Sequence, residues 1–426
     1  MPPITIDPLP NLWRLFGLRE SPYFQETLGN EGYRYPLSLF VGRTREADQL
    51  LAVIGGSRSS RQGVGGPPGV GKTTLVQRVK GRAYDAGYWT NEGVVPFYPD
   101  DRAPQVMGRL LGGLYDAVLS ARPMSTGAAA MRAAQQLVRV ARLESGGASF
   151  SAMGIGAGFS KGSSASTPPD AMLLEGPRLI RDLLALAREA GAPGVLLHLN
   201  NLENLSDADA RNAADVLRSL RDTVLLQDGL HVLLVGTTDA IMTVTTTHAQ
   251  LRSVFPTPLS LAPLPIREVE ALLAARYQFL RLEPKRAPVP PVAPSAVKAL
   301  YPLFRGDLRA LLKALEEGSS LLMGLVGKPG GSLPLAELRP ALKARYAGLL
   351  QPMTAARRHQ LIAWAAAGPA SVQDQASLTR LWRITQGAVS TALADLGREG
   401  FVIALGREGA GPTRYALSGT SRLIFD

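Results

Sequence analysis

Apolar positions along the chain fall into two alternating patterns. They recur at helical spacing over Thr74–Tyr84 (Leu75, Val76, Val79), over Pro104–Leu119 (Val106, Leu110, Leu111, Leu114, Val118) and over Leu179–Ala190. Between these lie short continuous apolar runs, Val195–Leu199 (VLLHL) and His231–Val235 (HVLLV), with a weaker one at Gly93–Tyr98 (GVVPFY). Runs of this length, apolar at successive positions, are what strands covered on both faces require. A further helix is expected over Asp207–Leu220. The alternation predicts an α/β fold: a parallel sheet with helices on both faces, and ligands at the carboxyl ends of the strands.

Downstream the rhythm changes. Helices are expected over Ile266–Leu280 and Asp307–Leu315, with no strand between them, so an all-α unit follows the sheet. The last stretch reads as helix Ala355–Ala366, short helix Ser377–Trp382, turn Ile384–Gly387 and helix Ala388–Gly397. Strands Phe401–Leu405 and Arg414–Leu417 then flank the Gly-rich GREGAGPT. That order is a winged helix-turn-helix, whose third helix usually enters the major groove.

Proline, glycine and serine punctuate these units. Residues 1–38 carry prolines and aromatics without periodicity and are expected to form an ordered arm packed on the next domain. Residues 122–170 interrupt the βα rhythm with a helix over Ala128–Leu143 and then a Gly/Ser-rich segment. In that segment the alternation of Phe150, Ala152, Ala157 and Phe159 allows a weak hairpin. Pro-rich joins lie at 256–265 and 283–294, and another join at 326–334. The expected units are an arm (1–38), an α/β domain (39–262, with 122–170 inserted), an all-α unit (263–325), a linker (326–350) and a winged helix (351–426).

Composition narrows the setting. No apolar run approaches the ~20 residues of a membrane span, and MPPITIDPLPNLW lacks a basic segment followed by an apolar one, so a cytoplasmic protein without membrane attachment is expected. The absence of cysteine excludes disulfides and thiolate metal sites, and four scattered histidines argue against a zinc centre. A formal charge of +11 favours a polyanionic partner. Residues 351–426 hold eight arginines, no lysine and five acidic residues, a net charge of only +3.

The chemistry centres on Gly66–Thr74, GPPGVGKTT, which fits G-x-x-x-x-G-K-[ST] through Gly66, Gly71, Lys72 and Thr73. A polyphosphate needs inward-turned backbone N–H groups, a point charge on the β/γ oxygens and a hydroxyl on Mg²⁺. Lys72 and Thr73 supply the last two. The helix after the loop is well marked, whereas the strand before it must be short and built near Gln62–Gly65, since GGSRSSRQGVG is not β-branched. Farther upstream, a helix capped near Thr44 is expected.

Over roughly residues 37–426 these motifs together resemble an AAA+ ATPase of the origin-recognition and initiator type. The resemblance implies ATP and Mg²⁺ as ligands. It places Val41, Gly42 and Arg43, in LFVGR, beside the adenine, and Gly66, Pro67, Pro68, Gly69, Val70, Gly71, Lys72, Thr73 and Thr74 around the phosphates. It makes Thr238 the sensor of the γ-phosphate after HVLLVGT, and Arg309, in Gly306-Asp307-Leu308-Arg309, the contact from the lid. Arg252 becomes an arginine finger toward a neighbouring subunit, hence self-association, and duplex DNA becomes the partner of the winged helix. There Arg380, Arg383, Arg407 and Arg414 suit phosphates, while Gln386, Ser390 and Thr391 suit base edges.

One motif departs from the family. Where its Walker B strand ends in Asp-Glu, VLLHLNNLEN offers Asn200 and Asn201. An amide accepts a hydrogen bond from a Mg²⁺-bound water but brings no charge and cannot act as a base. Glu203 is the nearest carboxylate that could act catalytically. ATP binding with slow or absent hydrolysis is the expectation, since losing a general base costs roughly 10²- to 10⁴-fold in rate. Three rivals remain open: an active DNA-remodelling ATPase using Glu203, a STAND-type signalling or defence ATPase whose tail binds a protein, and a transposition or plasmid-replication regulator.

Overall fold

The computed structural model describes residues 11–29, 33–91, 93–121, 128–145, 169–202, 205–326, 331–407 and 411–425. The expected hairpin at 150–159 and Glu203 lie outside them. Among the described residues no helix is long and apolar enough to cross a membrane.

The central sheet holds β1 (Ser60–Gly65), β2 (Trp89–Thr90), β3 (Val95–Pro96), β4 (Val195–Asn200), β5 (Leu230–Gly236) and β6 (Leu259–Ser260). Their order is β2-β4-β5-β1-β6, with β3 pairing β4, and every pair is parallel. The two apolar runs become β4 and β5, as their continuous hydrophobicity dictates. β1 is less obvious, because SRQGVG is polar yet all six residues are buried. Two of its polar side chains are satisfied: Ser60 Oγ meets His231 Nδ1 at 2.9 Å, and Gln62 Nε2 donates to Leu50 O at 3.2 Å, whereas Arg61 Nε and Nη2 are buried with no partner among the described residues. Its glycines make room, since a Cβ on Gly63 would lie 2.7 Å from Ile241 Cγ2.

Each face of the sheet carries its own core. Val64, Leu196, Leu233 and Val235 pack against α1 (Thr44–Gly55) and α2 (Lys72–Asp85) through Leu50, Ile54, Leu75, Val76 and Val79. Leu197, Leu199, Val232 and Leu234 pack against α3 (Ala103–Ala121), α4 (Ala129–Ser145), α5 (Pro169–Glu189), α6 (Asp207–Ser219) and α7 (Thr238–Thr246). At roughly 1.5–3 kcal/mol per buried aliphatic side chain, these two layers fix the strand register on which the site depends. After α7 comes the single turn α8 (Ala249–Arg252).

The lid is built from α9 (Ile266–Leu280), α10 (Pro294–Leu300) and α11 (Leu308–Val326), with α12 (Leu335–Ala347) packed on it. The expectation of a linker over 326–350 is therefore corrected: Leu338 and Leu342 are fully buried, and both close on Gly318 of α11. The arm is also corrected. Phe16, Leu18, Tyr23, Phe24 and Tyr35 share a core with Leu272, Leu273 and Tyr277 of α9, so the arm belongs to the lid more than to the sheet that follows it. Arg276 anchors it: the buried guanidinium lies 3.8 Å over the Phe24 ring, and Nη1 donates to Phe24 O at 2.7 Å and Pro22 O at 3.2 Å.

The tail comprises α13 (Ala355–Ala366), β7 (Val372–Asp374), α14 (Gln375–Trp382), α15 (Gln386–Arg398), β8 (Val402–Arg407), β9 (Thr413–Leu417) and α16 (Gly419–Phe425). The antiparallel order β8-β9-β7 completes a winged helix-turn-helix; β7 and α16 are additions to the sequence expectation. Trp364 fills its centre, donating from Nε1 to Ser371 Oγ at 3.1 Å. The tail is not a separate bead. Gly419 closes on Phe304, Arg422 Nη1 donates to Pro302 O at 2.9 Å, and Arg305 Nη2 donates to Ala370 O at 2.7 Å.

Candidate nucleotide-binding site

The loop leaves β1 at Gly65 and enters α2 at Lys72. Gly69 (φ 73°) and Gly71 (φ 94°) adopt the left-handed backbone that turns successive N–H groups toward one concavity, and the first turn of α2 adds N–H groups that no residue of the helix can bond. Lys72 is 7% exposed, and its Nζ donates to Gly66 O and Pro67 O, both at 3.0 Å. The amine thus lies across its own loop. Thr73 and Thr74 are half-buried behind it, and Pro67 and Pro68 are exposed.

Arg43 holds the loop from the α1 side. It caps α1 in a left-handed conformation, so that Thr44 is the first helical residue and not the cap. Its guanidinium is 7% exposed and donates to Glu46 Oε1 at 3.0 Å, to Val70 O at 3.3 Å and to Ala262 O. One side chain ties together α1, the phosphate loop and the start of the lid. Val41 and Gly42 are half-buried beside it, and Gly42 (φ 76°) closes on the Glu268 carboxylate of α9.

The ends of β4 and β5 complete the concavity. Leu199 pairs Leu234 and Val64 pairs Val235, so Asn200 stands one step beyond, on the same sheet face as Leu196 and His198, toward α2. Its Oδ1 is buried with no hydrogen-bond partner among the described residues. Asn201 leaves the strand in a left-handed conformation (φ 74°). Thr237 caps α7, accepting from Ala240 N, and Thr238 faces the head of the loop: a Cβ on Gly65 would lie 2.9 Å from Thr238 Cα. Thr238 Oγ1 also lies 3.3 Å from Ser260 Oγ.

Two buried bases lie on the same face, and sequence reasoning missed both. His198 has no hydrogen-bond partner on either ring nitrogen among the described residues, and burial, aided by Lys80, lowers its pKa to about 3. Lys80 Nζ donates to Gly93 O at 3.0 Å. The signal was there, since VLLHL has one polar residue where a buried strand needs none.

Arg309 is exposed on the first turn of α11. The lid residue that meets the loop is its neighbour Asp307, whose carboxylate closes on Gly69 and accepts from Ala310 N at 3.0 Å. Arg252 ends α8 in an exposed position. In the tail, Arg380, Arg383, Gln386, Ser390 and Thr391 are exposed, Thr391 Oγ1 donating to Gly387 O at 3.1 Å; Arg414 is half-buried, and the Arg407 side chain lies outside the described residues. The structure therefore gathers Lys72, Thr73, Asn200, Thr238 and Asp307 at the carboxyl ends of β1, β4 and β5. The exposed tail positions form a second group on α14 and α15.

Besides the tail's contacts with the lid, the sheet domain meets the wing directly. Asp239, the second residue of α7, packs against Gly406 of the wing: a Cβ on Gly406 would lie 2.6 Å from Asp239 Oδ2.

Residues 39–235 match the family model of the AAA ATPase domain. That segment, a little under half of the chain, is similar to an AAA ATPase domain. No curated protein matches the chain. Among solved structures it is similar to the Orc1 protein of Aeropyrum pernix in complex with DNA, at 13% identity and TM-score 0.44, covering 90% of this chain and 92% of that one. It is similar to the ORC2 protein of Aeropyrum pernix in its ADPNP-ADP complexes, at 17% identity and TM-score 0.45, covering 95% of each chain. A RuvB variant of Thermotoga maritima matches at 14% identity and TM-score 0.42, covering 89% and 93%. The matched segment of the AAA ATPase domain runs from Leu39 through Val235, so it contains the phosphate loop and both asparagines and stops before Thr238.

Proposed function

We propose that the AAA ATPase domain binds ATP with Mg²⁺ as a conformational ligand and thereby sets how the tail engages duplex DNA, as in an initiator-type protein of the cytoplasm. The observation that carries this is the position of α7. Its first residue, Thr238, faces the head of the phosphate loop, and its second, Asp239, faces the wing. A change at the phosphate end of β5 reaches the tail through one residue step.

The site fits the ligands on its own chemistry. The left-handed glycines and the start of α2 form an anion cradle, and Lys72 lies across it. Mg²⁺ would be held by the Thr73 hydroxyl and, through water, by the orphaned Asn200 Oδ1. Bound there, the metal would neutralise phosphate charge. Among the described residues the end of β4 offers the Asn200 amide where a carboxylate would hold the metal, so hydrolysis is slow or absent, and ATP acts by favouring one lid and tail arrangement over another. Arg252 and Arg309, both exposed, are free to meet a neighbouring subunit or a closing lid.

The test is duplex DNA binding by the full chain, followed by fluorescence anisotropy without nucleotide, with ADP and with ATP, for the wild type and Lys72→Ala. Nucleotide-dependent affinity that disappears in Lys72→Ala supports the proposal. DNA affinity identical in every state contradicts the coupling, and no DNA binding even at low salt transfers the tail to a protein partner, the signalling alternative.

A further inference from the structure

The lid's Asp307 is placed where an acidic residue needs a reason. It faces Gly69, in the middle of the phosphate loop, so closely that a side chain at Gly69 would occupy the space of its carboxylate. Gly69 is therefore required twice, by its left-handed φ and by this seat. The surroundings are mixed: Ala310 N–H donates to Oδ1, and Arg309 and Lys72 act on it as positive charges. Burial raises its pKa while these three pull it back. A capping role for α11 explains an Asp, but Ser, Asn or Thr caps equally well and would put no negative charge beside a loop that receives polyphosphate.

On the nucleotide reading above, we propose that Asp307 gauges phosphate charge: its carboxylate seats the lid on the phosphate loop and opposes an anion bound there, so a triphosphate loosens the seat more than a diphosphate does. The lid-seated arrangement then binds ATP less well than the unseated one, and by linkage ATP shifts the lid further than ADP. The determinant of the response is charge count, and the residue lies on the lid, where sequence motifs point to Arg309 instead.

The experiment is calorimetric titration of the full chain with ATP and with ADP, each with Mg²⁺, for the wild type, Asp307→Asn, Asp307→Ser and Asp307→Ala, at two salt concentrations. Asn and Ser keep a cap on α11 and remove only the charge, so they bypass the folding loss that Ala brings. The expected result is that Asn and Ser tighten ATP by about tenfold and ADP by about threefold, with both gains shrinking as salt rises. Equal shifts for the two nucleotides, no shift, or a change in Ala alone overturn the inference while nucleotide binding stands. A wild type that binds neither nucleotide removes the nucleotide reading and this inference with it.

Discussion

Asp239 and Gly406 meet across the boundary between the nucleotide-binding sheet and the wing, with Gly406 at φ 84° and the Asp239 carboxylate against its open side. A Cβ there would strain the left-handed backbone and push the Asp239 carboxylate aside. Gly406→Ala should cost about 1 kcal/mol locally and lift the wing from α7. Hydrogen exchange is then expected to speed up in the first turn of α7 and in β8, with α13 to α15 unchanged. Unaltered exchange in α7 would mean that the contact carries no energy.

Asn200 and Asn201 can be converted to the Asp-Glu pair of a Walker B strand. Asn200→Asp with Asn201→Glu is expected to raise phosphate release from ATP by on the order of 10²-fold, the usual worth of a general base. The change has a structural cost. Asn201 has φ 74°, which Asn tolerates and Glu does not, so the double variant should lose roughly 1–2 kcal/mol of stability. A turnover rate that stays at the wild-type level would show that the missing carboxylates are not what limits hydrolysis.

His198 sets an acid limit to stability. Its folded pKa, about 3, lies below the ordinary 6.5 because the buried imidazole is held neutral. Below pH 6.5 the unfolded chain takes up a proton that the folded chain refuses, so stability falls as pH drops from 6.5 toward 3. At pH 5.5 the loss from this group is on the order of 1 kcal/mol. His231, lowered to about 4 by burial and Arg61, adds in the same direction. His198→Leu should flatten part of this acid limb in melts between pH 5 and 7; an unchanged slope would mean that the imidazole is hydrated or paired in solution.

Arg276 tests whether the arm belongs to the lid. Arg276→Met keeps the packing over Phe24 and removes the donors to Pro22 O and Phe24 O, which costs about 1–3 kcal/mol. Limited proteolysis should then cut within residues 11–29 before any other described segment. Cleavage no faster than in the wild type would place the anchoring elsewhere.

Elements carried by local pattern were legible in the sequence: β4 and β5 from their apolar runs, and α9 and α13 at their observed bounds from helical spacing. β1 was placed only through the loop after it and runs two residues longer than expected, because Ser60 and Gln62 are satisfied by His231 and Leu50, neither of which is a sequence neighbour. α12 was hidden by Pro340 in its first turns and the Gly/Pro-rich join before it, although Leu338 and Leu342 stand at the i,i+4 spacing of a buried stripe. The phosphate loop declared itself as a motif. Its seat on Asp307, the Arg43 tie and the wing contact of Asp239 did not, since each joins residues more than 25 positions apart and leaves no local trace.

The central claim is that nucleotide at the phosphate loop is felt by the tail through α7. Its most direct test is the ratio of duplex DNA affinities with and without ATP, measured by anisotropy for the wild type and Gly406→Ala under identical salt. A wild-type ratio different from one that collapses to one in Gly406→Ala, with DNA binding itself retained, is the predicted result. A ratio that survives Gly406→Ala unchanged would contradict the route through α7.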